Sequence, residues 1–332
     1  MNTTISVAIP TCNRPALLRD ALESVRRQSA RAAIAEVIVS ENCSNAESKS
    51  VCGEFADLPI VYLYQEPSAF LHLKVILERV RSPLVAILHD DDWWECHHLA
   101  NGLSHLRLHP DASAYWTTSF FVYDKRSWII GCWNISVWMV AGFPALTDLA
   151  KLDAKKAALA CVCNAPAHYS TLIARTDVLV ESYNEVLRTK SPLDSDRMLF
   201  LALVKRGPAL VNLVPQVFIR RHAAQEQEKF SSTASTEHME TTTRSVLAIC
   251  RELGLDVAQE FNRLYDECPV PEFRDRLIEA FDPRVLNELR RQNALPFKLL
   301  HSPTRKAKWL LQQACPPFLW RGARELRRIA GK

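Results

Sequence analysis

An uninterrupted apolar run, Leu84-Val85-Ala86-Ile87-Leu88, stands between Pro83 and a triplet of acids, Asp90-Asp91-Asp92. Apolar residues without alternation leave no polar face, so such a strand is covered on both sides, as in parallel sheets flanked by helices. The segment therefore points to an α/β layer architecture. Its end constrains the chemistry. Three consecutive carboxylates at the end of a buried strand repel one another and raise each other's pKa unless a cation lies among them. A divalent ion taking hard oxygen ligands and sharing a substrate phosphate meets that requirement. The carboxyl ends of strands in open α/β sheets are also where ligands bind.

The flanking sequence continues the pattern. Residues 5–9, 36–40, 60–64 and 84–88 read as strands, and 15–27, 70–80 and 94–108 as helices. Strands separated by helices imply a mostly parallel, Rossmann-like sheet with right-handed crossovers. Further on, 113–123, 170–174 and 210–219 read as strands and 149–160 and 193–205 as helices. The polar stretch 226–243 is expected to be a linker or lid. It would separate a catalytic domain over 1–225 from a helical region over 244–332, with helices at 244–253, 257–266, 272–281, 283–291, 305–313 and 317–329.

Composition removes several classes. Only 8 glycines occur, with neither G-x-G-x-x-G nor G-x-x-x-x-G-K-[ST], which argues against dinucleotide and P-loop sites. A net charge of +4 is too mild to point to nucleic acid. The ten cysteines contain no C-x-x-C pair, so zinc spacing is absent. A reducing, cytoplasmic setting with cysteines as buried small hydrophobes is the expectation. The uncharged stretch 128–146 approaches membrane-spanning length, but its glycines, proline and scattered aromatics favour a core strand pair or an apolar lip.

Four blocks, in order, resemble the family 2 glycosyltransferases of the GT-A fold. They are Ile5-Ser6-Val7-Ala8-Ile9-Pro10-Thr11-Cys12-Asn13-Arg14-Pro15, Val37-Ile38-Val39-Ser40-Glu41-Asn42-Cys43-Ser44-Asn45, the acid triplet (similar to a D-x-D motif), and Asp194-Ser195-Asp196 with the downstream Arg206-Gly207. The likeness spans roughly residues 4–222, a size suited to one domain. It implies an inverting transfer of a sugar from a nucleotide diphosphate sugar, UDP-linked by preference, assisted by Mn²⁺ or Mg²⁺.

The resemblance assigns candidate roles. Pro10, Thr11 and Arg14 would face the nucleotide, and Glu41 stands where the family usually has an aspartate against the base. Asp92 would bind the metal, Asp90 the ribose or metal, and Asp91 either. A cation bridging the diphosphate oxygens makes a better leaving group. Asp196 would be the general base, since inversion needs a carboxylate that takes the acceptor hydroxyl's proton during attack. Asp194 is the fallback, and either Asp194 or Ser195 also reads as an N-cap. His222 would approach the metal, with Arg220 or Arg221 against the diphosphate. His168-Tyr169-Ser170 falls in the region facing the acceptor.

Other features read as structural. Lys74 lies on an exposed helix face, and His97 and His98, being adjacent on a helix, point apart. After Ser302, aromatic residues alternate with cations in a tail suited either to an anionic membrane surface or to a solvated basic face. The expected partners are a nucleotide sugar and a glycan or lipid-linked glycan acceptor, in surface polysaccharide synthesis, with peripheral contact at the inner face of the cell membrane. Two alternatives stand beside this reading: a metal-dependent phosphohydrolase using the aspartates with His89, His97 or His98, and a non-catalytic sugar-nucleotide-binding protein.

Overall fold

The computed structural model describes residues 3–43, 46–65, 72–123, 129–132, 149–163, 167–188, 195–221, 233–267 and 283–291. His222, Asp194, the expected helices at 272–281, 305–313 and 317–329, the basic tail, and all of 128–146 except 129–132 lie outside them.

The N-terminal part alternates as its pattern requires. It runs β1 (Ile5–Thr11), α1 (Pro15–Arg26), β2 (Ile34–Glu41), α2 (Ala46–Gly53), β3 (Ile60–Tyr64), α3 (His72–Leu77), β4 (Leu84–Ile87), the two-residue β5 (Trp93–Trp94) and α4 (His98–Leu108). Next come β6 (Ala114–Tyr123), β7 (Ile129–Cys132), β8 (Leu149–Leu152), α5 (Ala154–Cys163), β9 (Leu172–Arg175), α6 (Thr176–Arg188), α7 (Ser195–Val204) and β10 (Ala209–Arg221). Helices α8 (Thr233–Glu252), α9 (Val257–Glu267) and α10 (Pro283–Arg291) follow.

The strands form one sheet in the order β3-β2-β1-β4-β9-β6-β10-β5, with β7 on β6 and β8 on β10. Pairs β1–β2, β2–β3, β1–β4 and β6–β10 are parallel, whereas β9, β5, β7 and β8 pair antiparallel. The expected mostly parallel sheet is present, with β9 inserted antiparallel between its two parallel halves.

Strand β4 is buried on both faces. Val85 and Ile87 enter one core with Trp116, Phe200 and the α5, α6 and α7 side. Leu84, Ala86 and Leu88 enter another with Leu18, Leu22 and Val25 of α1 and Leu99 of α4. Helix α1 begins on Pro15, whose fixed φ suits the first helical position.

Four expectations change. The helix expected over 149–160 divides: residues 149–152 pair with β10, and α5 starts after Asp153, whose side chain accepts Lys156 N–H at 2.9 Å as an N-cap does. Helix α4 begins at His98 rather than Trp94, because Trp93 and Trp94 pair with Phe218 and Val217. The polar stretch expected as a linker is helical from Thr233, and Thr242 and Thr243 are buried. Helix α8 brings Val246, Leu247 and Cys250 into the same core as Trp116, joined by Phe261 of α9 and Leu289 of α10. Helices α2 and α6 appear where the sequence reading placed none.

Helix α4 lies so close to the sheet that only hydrogen fits at one position. A Cβ at Gly102 would overlap Ile173 Cδ1 and approach Tyr115 Cδ1 to 3.1 Å, whereas Gly53 faces open space. Gly102→Ala is expected to lower unfolding stability by about 1–3 kcal/mol through overpacking, and Gly53→Ala not to lower it. Urea denaturation of both variants checks this, and equal effects would contradict the close approach.

Candidate active site

The parallel β1–β2 and β1–β4 registers bring three strand ends together. Thr11 pairs with Glu41 across β1–β2, and Ala8 with Ile87 across β1–β4. The residues following β1 therefore meet the acid triplet following β4. Thr11 Oγ1 donates to Asp90 Oδ2 at 2.7 Å. Asn13 takes the left-handed φ of 53° that turns the chain into α1. The guanidinium of Arg14 then spans two carboxylates, with Nη2 at 2.9 Å from Asp90 Oδ1 and Nη1 at 2.8 Å from Asp91 Oδ2. The positive charge that the acid triplet requires is thus supplied in part by the chain itself.

Asp92 faces the other way. Its Oδ2 accepts Ser170 Oγ–H at 2.5 Å and lies 3.5 Å from His168 Nδ1, while Oδ1 accepts Arg220 N–H at 3.0 Å. Ser170 is itself fixed, because its carbonyl accepts Trp94 Nε1–H at 2.7 Å and its hydroxyl accepts His89 N–H at 3.0 Å. Arg220 donates to the Asp91 carbonyl at 3.1 Å, pairs with Asp20 at 2.7 Å and lies over the Trp93 ring at 4.8 Å. The triplet is therefore clamped from β1 on one side and from β9 and β10 on the other.

Burial dominates its electrostatics. Asp90 is pushed up from an ordinary 3.8 to about 7 by loss of solvent, against the lowering charge of Arg14; Asp91 raises it further and Thr11 lowers it. Asp92 is driven well above its ordinary value by burial and then by the Asp91 charge. Asp91 is the least buried of the three at 8%. His168 falls to about 3 through burial, then through the neighbouring His89.

Glu41 is fully buried. Its Oε1 accepts N–H from Asn13 at 3.2 Å and from Cys43 at 3.0 Å, while Oε2 is buried with no partner. Those two donors sit on turns joined by a Cys12–Cys43 disulfide with Cα atoms 5.1 Å apart. This corrects the expectation that the cysteines serve as buried small hydrophobes. Cys52, Cys161 and Cys250 fit that expectation, but Cys96 is exposed. The pairing follows from the β1–β2 register, which no single segment displays. Pro10, half-buried, pairs with Ser40 just before this turn.

Asp196 lies in the first turn of α7. It lines a small hollow with Trp116, Ala167, His168, Tyr169, Leu172 and Leu199. The buried Tyr169 hydroxyl bonds the Ser195 side chain beside it. His168 is common to this hollow and to the Asp92 surroundings, so it links the base candidate to the acid triplet. The sequence reading found His168 only as an acceptor-side residue and gave no specific role to Ser170, whose part depends on tertiary contact alone.

Several candidates stand apart. Lys74 is half-exposed and 3.8 Å from Glu78 one helical turn on, as an ordinary surface lysine would be. His97 is exposed and meets Ser29, whereas His98 is buried against Trp94, so the two point apart as expected. Arg221 lies over the Phe121 ring at 4.6 Å.

The donor set suits a divalent cation. Asp90, Asp91 and Asp92 offer hard oxygens, and a positive charge there would relieve the burial that raises Asp90 and Asp92. One donor atom from each of His89, Asp92 and His168 also falls within 4.8 Å of the other two.

Residues 6–148 match the family described as glycosyl transferase family 2. The chain resembles S. aureus TarS (residues 1–349) in complex with UDP-GlcNAc, with a TM-score of 0.55 and 14% identity over 87% of this chain and 85% of that one. It likewise resembles the same protein in complex with UDP, with a TM-score of 0.51 and 13% identity over 92% and 78%. At such identity these likenesses establish the fold. No curated protein matches the sequence. The fold is that of the GT-A glycosyltransferases, and residues 6–148 resemble glycosyl transferase family 2.

The raised Asp90 makes stability depend on pH. Between 3.8 and about 7 the folded chain holds a proton that the unfolded chain has lost, so stability falls as pH rises through that window. His98 and His168, lowered from 6.5 to about 3, act oppositely from pH 3 to just above 6.5, so the wild-type profile mixes both effects. The Asp90 contribution is isolated by comparison with Asp90→Asn: the wild type is expected to lose stability relative to that variant as pH rises from 4 to about 7, in the absence of ligand and metal. A stability difference in calorimetry that stays flat or shifts toward the wild type with rising pH would contradict the buried-carboxylate account.

Proposed function

We propose that the chain is an inverting glycosyltransferase that moves a sugar from a UDP-linked donor to a hydroxyl of a glycan or lipid-linked glycan, using a divalent cation. One observation carries the reading: the Thr11–Arg14–Asp90–Asp91–Asp92 cluster and the Asp196 hollow share His168, so a donor site and a base adjoin.

The base would lie against Glu41. A buried carboxylate oxygen without a partner calls for a donor, and the imide N–H of uracil is one. S. aureus TarS, of the same fold, is described with UDP and UDP-GlcNAc. Thr11 and Asp90 lie on the path from Glu41 toward the sugar, with Pro10 shaping the turn. Arg14 and Arg220 supply charge near the departing diphosphate. Asp92, with His222 beyond the described residues, is assigned the cation in this reading. A bound divalent cation would neutralise charge on the leaving diphosphate.

Asp196 takes the proton from the acceptor oxygen as that oxygen attacks the anomeric carbon. The bond from that carbon to the phosphate oxygen breaks on the opposite face, and the nucleoside diphosphate leaves with the electron pair, so configuration inverts. The aromatic and basic tail beyond Ser302 supports placement of the enzyme at an anionic membrane face, beside surface polysaccharide synthesis.

A thermal-shift screen of UDP-, GDP-, dTDP- and CMP-linked sugars with and without Mn²⁺ tests the donor. One nucleotide is expected to raise stability in a metal-dependent way, by about 2.7 kcal/mol at roughly 100 times its Kd. Asp196→Asn should keep that shift and lose transfer by about 10²–10⁴-fold. No shift with any donor, or unchanged transfer in Asp196→Asn, would overturn the reading.

A further inference from the structure

Two imidazoles border the acid triplet without a part in the scheme above. His89 immediately precedes Asp90, and His168 immediately precedes the 3₁₀ turn Tyr169–Thr171 that leads into β9. Their rings meet edge to face, with centroids 5.0 Å apart and planes at 79°. His168 Nδ1 accepts Ser170 N–H at 3.3 Å, a long hydrogen bond that a metal bond at this nitrogen would replace. The same nitrogen lies 3.5 Å from Asp92 Oδ2, another acceptor. Two acceptors held face to face repel unless something positive lies between them.

We infer that His89, His168 and Asp92 form a cation site of two imidazoles and one carboxylate, which takes Mn²⁺, Co²⁺ or Zn²⁺ in preference to Mg²⁺. The inference rests on the assignment of Asp92 to the cation, adds His89 and His168 to its ligands, and specifies the class of ion.

Size, support and ligand chemistry agree. Metal–nitrogen bonds of about 2.0–2.1 Å put neighbouring donors roughly 3–4 Å apart. The three donor atoms lie within 4.8 Å of one another, so small side-chain rotations close the triangle. Asp92 is held from behind by Ser170 Oγ and Arg220 N, and each carboxylate oxygen keeps a further lone pair. Hydrogen bonds of this kind orient a metal ligand and tune its basicity. The serine that fixes Asp92 also accepts His89 N–H, so one residue ties two of the three ligands together. Imidazole suits Mn²⁺, Co²⁺ and Zn²⁺, whereas Mg²⁺ demands oxygen ligands and retains its waters. The site borders the Asp196 hollow through His168.

The test uses the full chain with Co²⁺ and Mn²⁺ as probes, with and without UDP. Visible absorption should report one bound Co²⁺ per chain. His89→Asn and His168→Asn should each weaken it by at least the roughly 10–100-fold that follows loss of a group merely supporting a ligand. Because a variant can fail to fold, electron spin echo on wild-type Mn²⁺ protein decides independently, and couplings to two imidazole nitrogens are expected. Absence of nitrogen coupling, or Co²⁺ affinity unchanged in both variants, overturns the inference. If UDP then still binds in an Asp92-dependent manner, the donor reading survives that failure. Imidazole-coordinated metal without any nucleotide binding would uphold the site and bring down the donor reading instead.

Discussion

Three carboxylates packed into the end of a buried strand are the constraint around which this molecule is arranged. Burial alone would force protons onto Asp90 and Asp92. The fold counters it with a guanidinium spanning Asp90 and Asp91, a hydroxyl on each of Asp90 and Asp92, and a backbone N–H from β10. These partners come from three separate parts of the chain: the β1 end, the turn before β9, and β10. The sheet order that sets β1 beside β4, and the antiparallel β9 that sets Ser170 against Asp92, can therefore be read as what makes the acid triplet tolerable. Such partial compensation leaves a site that still favours an added positive charge.

The same arrangement sets two groups of candidate residues side by side. The β1 and β2 ends hold Glu41 with one oxygen accepting two backbone N–H groups and the other buried without a hydrogen-bond partner, and that second oxygen is assigned to the nucleobase in the proposed function. The segment running from His168 to Thr171 belongs to both groups. Ser170 orients Asp92, Tyr169 bonds the Ser195 side chain, and His168 touches Asp92 and the hollow together. A rigid 3₁₀ turn thus couples the position of the base candidate to that of the acid triplet.

What the sequence made legible was what local pattern encodes. The five-residue apolar run announced a strand covered on both faces, and β4 is one. The ends of β1, β2 and β4 were legible as a meeting point because parallel strands present their carboxyl ends together. Tertiary context decided the rest. Trp93 and Trp94 continue a helical pattern until β10 pairs with them. Thr242 and Thr243 belong to a polar stretch that resembles a linker, until α8 is buried in the shared core. Ser170 carries no sequence signal, since a serine at a strand start is unremarkable until an aspartate 78 positions away accepts its proton. The Cys12–Cys43 pairing likewise requires the β1–β2 register before the two turns become neighbours.

The account stands or falls on whether this acid-lined edge is where an activated sugar and its cation reside. Crystals soaked with UDP and Mn²⁺ measure that directly through the anomalous scattering of manganese. The account predicts a single manganese peak bonded to the Asp90–Asp92 turn and to the diphosphate, with uracil against Glu41. A nucleotide bound elsewhere, or a manganese peak remote from all three aspartates, would contradict it.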